Sequence, residues 1–212
     1  MFLPLYFRTK RMRCLVVGGG QVAARKVEML LAAGCSLTVV APAIDDPIRN
    51  AVDSGSLSWR ARPYTPGDCE GYQLVVAATP HKEINRTVSI EAQRLGIPVN
   101  VVDAPELCTV IFSAVWRDGP LTISVSSGGA APFMAAAIRD RISRVACGMG
   151  AWVEAAGRFR AAVRAGVTDP TERNGLYRSF TARIQNLPPE NMPESQKLGD
   201  WLKWLDRSRP SQ

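Results

Sequence analysis

Histidine is nearly absent from this chain of 212 residues, which carries one, His81. Structural and catalytic zinc centres draw on imidazoles, thiolates or both, so this scarcity argues against a zinc site. Cysteine does not fill the gap: Cys14, Cys35, Cys69, Cys108 and Cys147 are scattered, with no C-x-x-C pair. That spacing also excludes a disulfide framework and points to a reducing compartment. No apolar run approaches the roughly 20 residues of a spanning helix. The opening Met-Phe-Leu-Pro-Leu-Tyr-Phe is too short for a secretory core, and Arg8, Lys10, Arg11 and Arg13 follow it. Internal repeats and low-complexity tracts are missing as well. A soluble, cytoplasmic protein with no metal site is expected.

What is present is ordinary in hydrophobic (46%) and charged (21%) content, but the formal net charge of +7 is high. An acidic partner follows from it: nucleic acid, an anionic membrane surface, or a ligand bearing carboxylates or phosphates. Charge alone does not choose among them.

The first half alternates two kinds of segment. Short apolar runs at Cys14–Val17, Leu37–Ala41, Leu57–Arg62, Leu74–Ala78 and Ile97–Val102 read as buried strands. Between them, Gln21–Ala33, Asp45–Ser54 and His81–Leu95 read as helices. In the first, Val22, Lys26, Met29 and Leu30 are spaced for one face. Gly34 and Gly96 stand as C-terminal stops, Asp45 or Asp46 as a cap, and Pro47 in a first turn. This rhythm predicts an α/β fold, a Rossmann-type doubly wound parallel sheet, over 1–112. Thr109–Trp116 and Leu121–Ser126 then predict a β-hairpin about Asp118-Gly119-Pro120. A helix over Pro132–Cys147 completes a central region at 113–147. The remainder, 148–212, reads as a small helical domain, with a loop around Pro188, Pro189 and Pro193 before its last helix.

Val17-Gly18-Gly19-Gly20-Gln21-Val22-Ala23 places G-x-G-x-x-A between a strand and a helix, the context in which it is a dinucleotide fingerprint. Gly18 permits the tight turn, Gly20 lets the backbone approach a pyrophosphate, and Ala23 keeps the helix close to the sheet. The N–H groups at the helix start then face phosphate charge. A tight turn without a ligand would need the same glycines. The acid that usually ends the second strand and holds the ribose hydroxyls is missing, since Val39-Val40-Ala41-Pro42 leads to Asp45. No arginine stands there for a 2′-phosphate either; the nearest is Arg49. Backbone near Pro42 and Ala43 is expected to hold the ribose, and the motif leaves NAD or NADP open.

Four segments in order, Val17 to Lys26, Ala77-Ala78-Thr79, Asn100 to Pro105 and Val125 to Gly129, resemble the precorrin-2 dehydrogenase/sirohydrochlorin ferrochelatase module of siroheme synthases. The resemblance runs from about Phe7 to Arg144 and more loosely to Phe180. It implies NAD-dependent oxidation of precorrin-2 to sirohydrochlorin, which many members follow by inserting ferrous iron. It also implies a homodimer across the central hairpin, and a stand-alone form without the methyltransferase that multifunctional members add.

On this resemblance Asp103 matches the family's candidate catalytic aspartate, at the carboxyl edge where such sheets bind ligands. An Asx-turn or a cap residue before Ala104-Pro105 is the competing assignment. Gly18, Gly19, Gly20, Gln21, Val22, Pro42, Ala43 and Thr79 are the expected cofactor contacts. Ser127, Gly128 and Arg139 are the expected tetrapyrrole contacts, Ser127 matching a serine phosphorylated in some members. The SSGG turn is otherwise a capped polar loop. Arg139, Arg141, Arg144, Arg158, Arg160 and Arg164 form a basic excess suited to a substrate with many carboxylates. Any one of them is as readily a solvated side chain. A nucleic-acid patch is disfavoured, because interleaved aromatics and a binding motif are absent. His81 reads as a surface group at a helix start. The rival class is a non-catalytic Rossmann nucleotide-sensing module, which generally keeps the acid after the second strand. A short-chain reductase would want Tyr-x-x-x-Lys, and neither Tyr64, Tyr72 nor Tyr177 has it.

Overall fold

In the computed structural model, residues 2–184, 193–194 and 197–206 are described. The expected loop around Pro188 and Pro189 lies outside them. The chain divides into two compact units, Met1–Phe112 with Gly128–Ala130, and Ser113–Ser127 with Ala131–Gln212. Of the expected central region, 128–130 fall in the first unit, and the rest falls with the helical region in the second.

The first unit holds a five-stranded sheet of order β3-β2-β1-β4-β5, every neighbouring pair parallel. Its strands are β1 (Arg13–Val17), β2 (Ser36–Val40), β3 (Leu57–Arg60), β4 (Leu74–Ala77) and β5 (Val99–Val101). The side-chain alternation of a strand sends Cys14, Val16, Leu37, Val39 and Val76 to one face and Leu15, Val17, Val75 and Val99 to the other. Both faces are covered. On the first lie α1 (Gln21–Ala32) and α2 (Asp46–Asp53), on the second α3 (Lys82–Arg94). The doubly wound sheet is therefore as expected, with β3 and β5 shorter than their apolar runs.

Two local expectations are corrected. The buried stripe of α1 is Ala23, Ala24, Val27 and Leu30, and Val22 is 42% exposed. Ala23 and Ala24, not Val22, let the helix lie close to the sheet, while Leu30 is buried and Met29 packs on the core as expected. The sixth strand, β6, is Ala114–Asp118 and not Thr109–Trp116. Residues 109–112 instead follow β5: Thr109 and Val110 both donate their N–H to Val99 O, and Val110 and Phe112 pack on the α1 side of the core.

The crossover from β3 to β4 has no helix. Two buried carboxylates organise it. Glu91 on α3 accepts the N–H groups of Gly67 (3.0 Å) and Cys69 (3.1 Å) and the Tyr64 hydroxyl. Burial, and then the bond to Glu91, push the Tyr64 phenol upward. Asp68, 6% exposed, takes both arms of Arg62 at 2.5 and 2.7 Å, Arg60 at 3.1 Å and the Thr65 N–H at 2.9 Å.

In the second unit β6 pairs antiparallel with β7 (Leu121–Val125) from Ala114↔Val125 to Asp118↔Leu121. The two-residue turn Gly119-Pro120 has Gly119 at φ 53°, as a hairpin's first central position favours. Helices α4 (Pro132–Ala146), α5 (Met149–Gly166), α6 (Pro170–Ile184) and α7 (Leu198–Asp206) follow. The last three close on Phe159, Phe180, Trp201 and Trp204, with Phe159 and Phe180 stacked at 4.9 Å.

The Arg62 fork holds the Asp68 carboxyl at about 2, well below the usual carboxylate range. A depressed folded-state value stabilises the fold above the unfolded value and loses that stabilisation as pH falls through the folded one. Asp68→Asn is expected to cost about 2 kcal/mol near neutral pH. In urea titrations at stepped pH, its deficit against the parent chain should shrink from about pH 4 downward and vanish near pH 2.

Candidate functional site

The order of the sheet reverses between β1 and β4, and their carboxyl ends form the crevice where such sheets take ligands. Gly18 enters it at φ 125°, and a Cβ there would lie 2.3 Å from Ala78 O. Gly19 is tighter still, its Cβ position 1.9 Å from Ala43 O. Gly18 N–H donates to Val40 O (3.0 Å), and Asp45 N–H to Gly19 O (2.8 Å). Gly20 differs: it is the N-cap of α1, no side chain caps that helix, and a Cβ on it would meet nothing within 4 Å. Gly18 and Gly19 serve the turn, and Gly20 faces open space in front of a helix N-terminus. A pyrophosphate requires that combination, so these residues fit a dinucleotide.

The remaining expected contacts are placed as follows. Gln21 and Val22 are exposed on the first turn of α1, and Pro42 and Ala43 are exposed after β2. Ala41 O accepts the indole N–H of Trp59 (2.9 Å), and the Arg49 guanidinium lies 5.5 Å from the centroid of that ring. Thr79 follows β4, and its hydroxyl is engaged with Asn85 Oδ1 (2.7 Å) and the His81 N–H (3.1 Å). Asn85, buried in the first turn of α3, clasps Thr79 at both backbone ends, Nδ2 to Thr79 O at 2.9 Å and Oδ1 to its N–H at 3.1 Å. The sequence reading missed Asn85, whose signal was a polar residue on a helix face that also carries Val88 and Ala92. His81 is the exposed N-cap of α3.

Asp103 stands two residues past β5, exposed, at φ 56°. Asp and Asn enter this left-handed region more readily than other side chains, and such outliers collect at functional sites. An Asx-turn would have the carboxylate accept the N–H two residues on, but that residue is Pro105, which has none. Among the described residues no hydrogen bond reaches the Asp103 carboxylate. Below it the Cys108 thiol takes the Val101 N–H at 3.1 Å and lies 3.4 Å from Ala104 O. Burial raises this thiol, and it pushes those of Cys14 and Cys69 up to about 12. All three are protonated at neutral pH and serve packing and hydrogen bonding.

In the second unit Ser127 Oγ accepts the Ala131 N–H at 2.9 Å, just before α4. Arg139 is turned onto Asp140, with Nε at 2.8 Å and Nη2 at 2.6 Å from Oδ1. Gly128, placed with the first unit, has φ 65°. Among the described residues no group of three His, Cys, Asp or Glu is placed to hold a metal ion, and no helix is long and apolar enough to cross a membrane.

Residues 5–114 match the family described as "Putative NAD(P)-binding", and residues 118–144 match "Sirohaem biosynthesis protein central". The chain is similar to the siroheme synthase of Methylobacillus flagellatus, 44% identical over 76% of this chain and 35% of that protein. It is also similar to that of Pseudomonas fluorescens, 42% identical over 83% and 38%, and of Methylococcus capsulatus, 38% identical over 83% and 37%. It thus spans little more than a third of the length of these relatives. A solved structure titled "SirC, precorrin-2 dehydrogenase" superposes with a TM-score of 0.72, covering 97% of this chain and 100% of that one at 20% identity, which establishes a shared fold.

The three glycines make separable predictions. Gly19→Ala should destabilise the protein by about 2–3 kcal/mol, because backbone must move to admit the methyl group. Gly20→Ala should unfold like the parent chain and still lose NAD affinity at least about tenfold, since its methyl group fills the approach to the helix N-terminus. Urea denaturation and calorimetric titration of NAD read the two effects apart.

Proposed function

This chain belongs to the putative NAD(P)-binding family, and on that premise we propose that it oxidises precorrin-2 to sirohydrochlorin with NAD, in the cytoplasmic route to siroheme. The observation that carries the proposal is the Asp103 carboxylate, unbonded and exposed past β5, one strand beyond the β1/β4 crevice that Gly18 and Gly20 shape. The match of residues 118–144 to a sirohaem-biosynthesis segment, and of 83% of the chain to a siroheme synthase, supports this substrate.

Gly20 and the uncapped start of α1 would hold the pyrophosphate, with Gly18, Gly19, Gln21 and Val22 around it, Pro42 and Ala43 on the ribose side, and Thr79 shaping the opposite wall. When bound, the nicotinamide supplies a hydride acceptor. Asp103 acts as the base that takes the proton lost by the macrocycle, so that two hydrogens leave as hydride and proton. Ser127, Gly128 and Arg139 are the proposed contacts to substrate carboxylates. NAD is proposed rather than NADP because, at the end of β2, Arg49 lies against the Trp59 ring and Arg60 is paired with Asp68. Insertion of ferrous iron, here a substrate, requires pyrrole nitrogens to lose two protons, and the same carboxylate would accept one.

A second copy of the chain is proposed to cover α4, where Phe133, Met134, Ile138, Ile142 and Val145 stand exposed at helical spacing. Sedimentation should show a dimer that Ile138→Asp converts to monomer.

With enzymatically made precorrin-2 and NAD, reduced nicotinamide should appear. Asp103→Ala should slow its appearance by about a hundredfold or more while NAD affinity stays within about twofold. Nucleotide binding with no turnover by the parent chain would sink the proposal in favour of a sensing module.

A further inference from the structure

An amide side chain on the packed face of a helix loses its water on folding, a loss tolerated only where its polar atoms find partners. Asn85, in the first turn of α3, is 6% exposed, on a face that continues with the wholly buried Val88 and Ala92. Among the described residues its side-chain bonds all go to one residue. Oδ1 accepts the Thr79 N–H at 3.1 Å and the Thr79 hydroxyl at 2.7 Å, and Nδ2 donates to Thr79 O at 2.9 Å. An amide that engages both backbone groups of one residue takes the place of a neighbouring strand. It does so where one is needed, because the pairings of β4 with β1 and β5 end at Ala77.

The grip reaches further than Thr79. Its N–H shares a peptide plane with the Ala78 carbonyl, and such a plane turns as a unit. The same plane lies across Gly18: a Cβ there would meet Ala78 O at 2.3 Å, Ala78 C at 2.7 Å and Thr79 N at 3.1 Å. Asn85 therefore holds the group that bears on the turn leading to Gly20, the N-cap of α1. The Thr79 hydroxyl is turned inward as well, since besides Asn85 it meets His81 O and the His81 N–H, each at 3.1 Å.

We propose that Asn85 is a positioning residue for the nucleotide: by holding the Ala78–Thr79 peptide against Gly18, it fixes the turn that aims the start of α1 at the pyrophosphate. Thr79 then serves the site through its backbone, its hydroxyl being taken by Asn85 and His81. As a statement about NAD this rests on the function proposed above; as a statement about Gly18 it does not.

The link to Gly18 is tested without nucleotide, by amide hydrogen exchange of the full-length chain followed by NMR. The Gly18 N–H donates to Val40 O. Asn85→Ala should speed its exchange about tenfold or more beyond any change at Leu15, in the middle of β1, because a global loss of stability moves both alike. Equal changes at Gly18 and Leu15 overturn the proposal. With NAD, Asn85→Ala should raise the calorimetric Kd and the KM for NAD about tenfold, with kcat at saturating NAD within about threefold. Asn85→Asp keeps the volume and sets an acceptor against Thr79 O. It should weaken NAD in the same way, and it stands in if the alanine variant fails to fold. Val88→Ala, which removes apolar packing from the same helix face, should lose stability and keep NAD affinity within about twofold. Unchanged affinity in the folded Asn85 variants, or an equal loss in Val88→Ala, overturns the proposal. If the parent chain binds NAD and does not turn over, the dehydrogenase reading fails, while Kd and exchange still decide the role of Asn85.

Discussion

Three strand ends of this sheet are drawn so close together that side chains are excluded between them, and the candidate site follows from that constraint. Gly18 passes against the Ala78 carbonyl and Gly19 against the Ala43 carbonyl, at separations no Cβ tolerates. Backbone hydrogen bonds lock the same contacts: Gly18 to Val40, Asp45 to Gly19, and Ala78 to Val17. The direction in which α1 leaves the sheet is therefore set by main chain against main chain. Main chain cannot escape by changing rotamer, so the helix start is aimed before any ligand arrives. Such preorganisation spares binding the cost of ordering the loop.

Buried polar side chains extend this control outward. Asn85 grips both backbone ends of Thr79 and so holds the loop whose Ala78 carbonyl meets Gly18. Glu91, two turns further along α3, grips Gly67 and Cys69 and fixes a crossover that has no helix of its own. Both gather backbone donors that a regular element would have satisfied. Tyr64, Cys69 and Tyr72 pack on the same side of the sheet, so the crossover buries apolar surface as a helix would.

The sheet, its order and the glycine loop were legible in the sequence because each rests on a local signal. A short apolar run bounded by Gly or Pro marks a buried parallel strand, and three adjacent glycines mark a backbone crowded from outside. What escaped was long-range. Thr109 to Phe112 has strand-forming residues, yet its N–H groups turn to Val99 and its side chains to α1, so the ladder begins only at Ala114. Asn85, Glu91 and Asp68 appear in the sequence as common polar residues, and only folding shows that they face inward. Lys26 was placed on the apolar stripe of α1 by its spacing. That placement was partly right, since the side chain is half-buried, but the ring under its ammonium, Phe112, comes from 86 positions away.

The missing acid after β2 gains a physical sense from the tertiary structure. In a Rossmann site that acid hydrogen-bonds the ribose hydroxyls and repels a 2′-phosphate. Here the strand ends on Ala41, whose carbonyl is taken by Trp59 and whose N–H donates to Arg60 O at 3.3 Å. Both polar groups at the tip are thus used inside the protein, and Pro42 contributes no N–H. Discrimination then has to come from what surrounds the tip. Arg49 rests on the Trp59 ring and Arg60 on Asp68, so each guanidinium would have to leave a partner before it could meet a phosphate. A bound nucleotide would meet, at its pyrophosphate end, the open space of Gly20 before the start of α1. The glycine loop therefore sets the architecture of the sheet edge and, on the proposed function, the seat of the nucleotide phosphates.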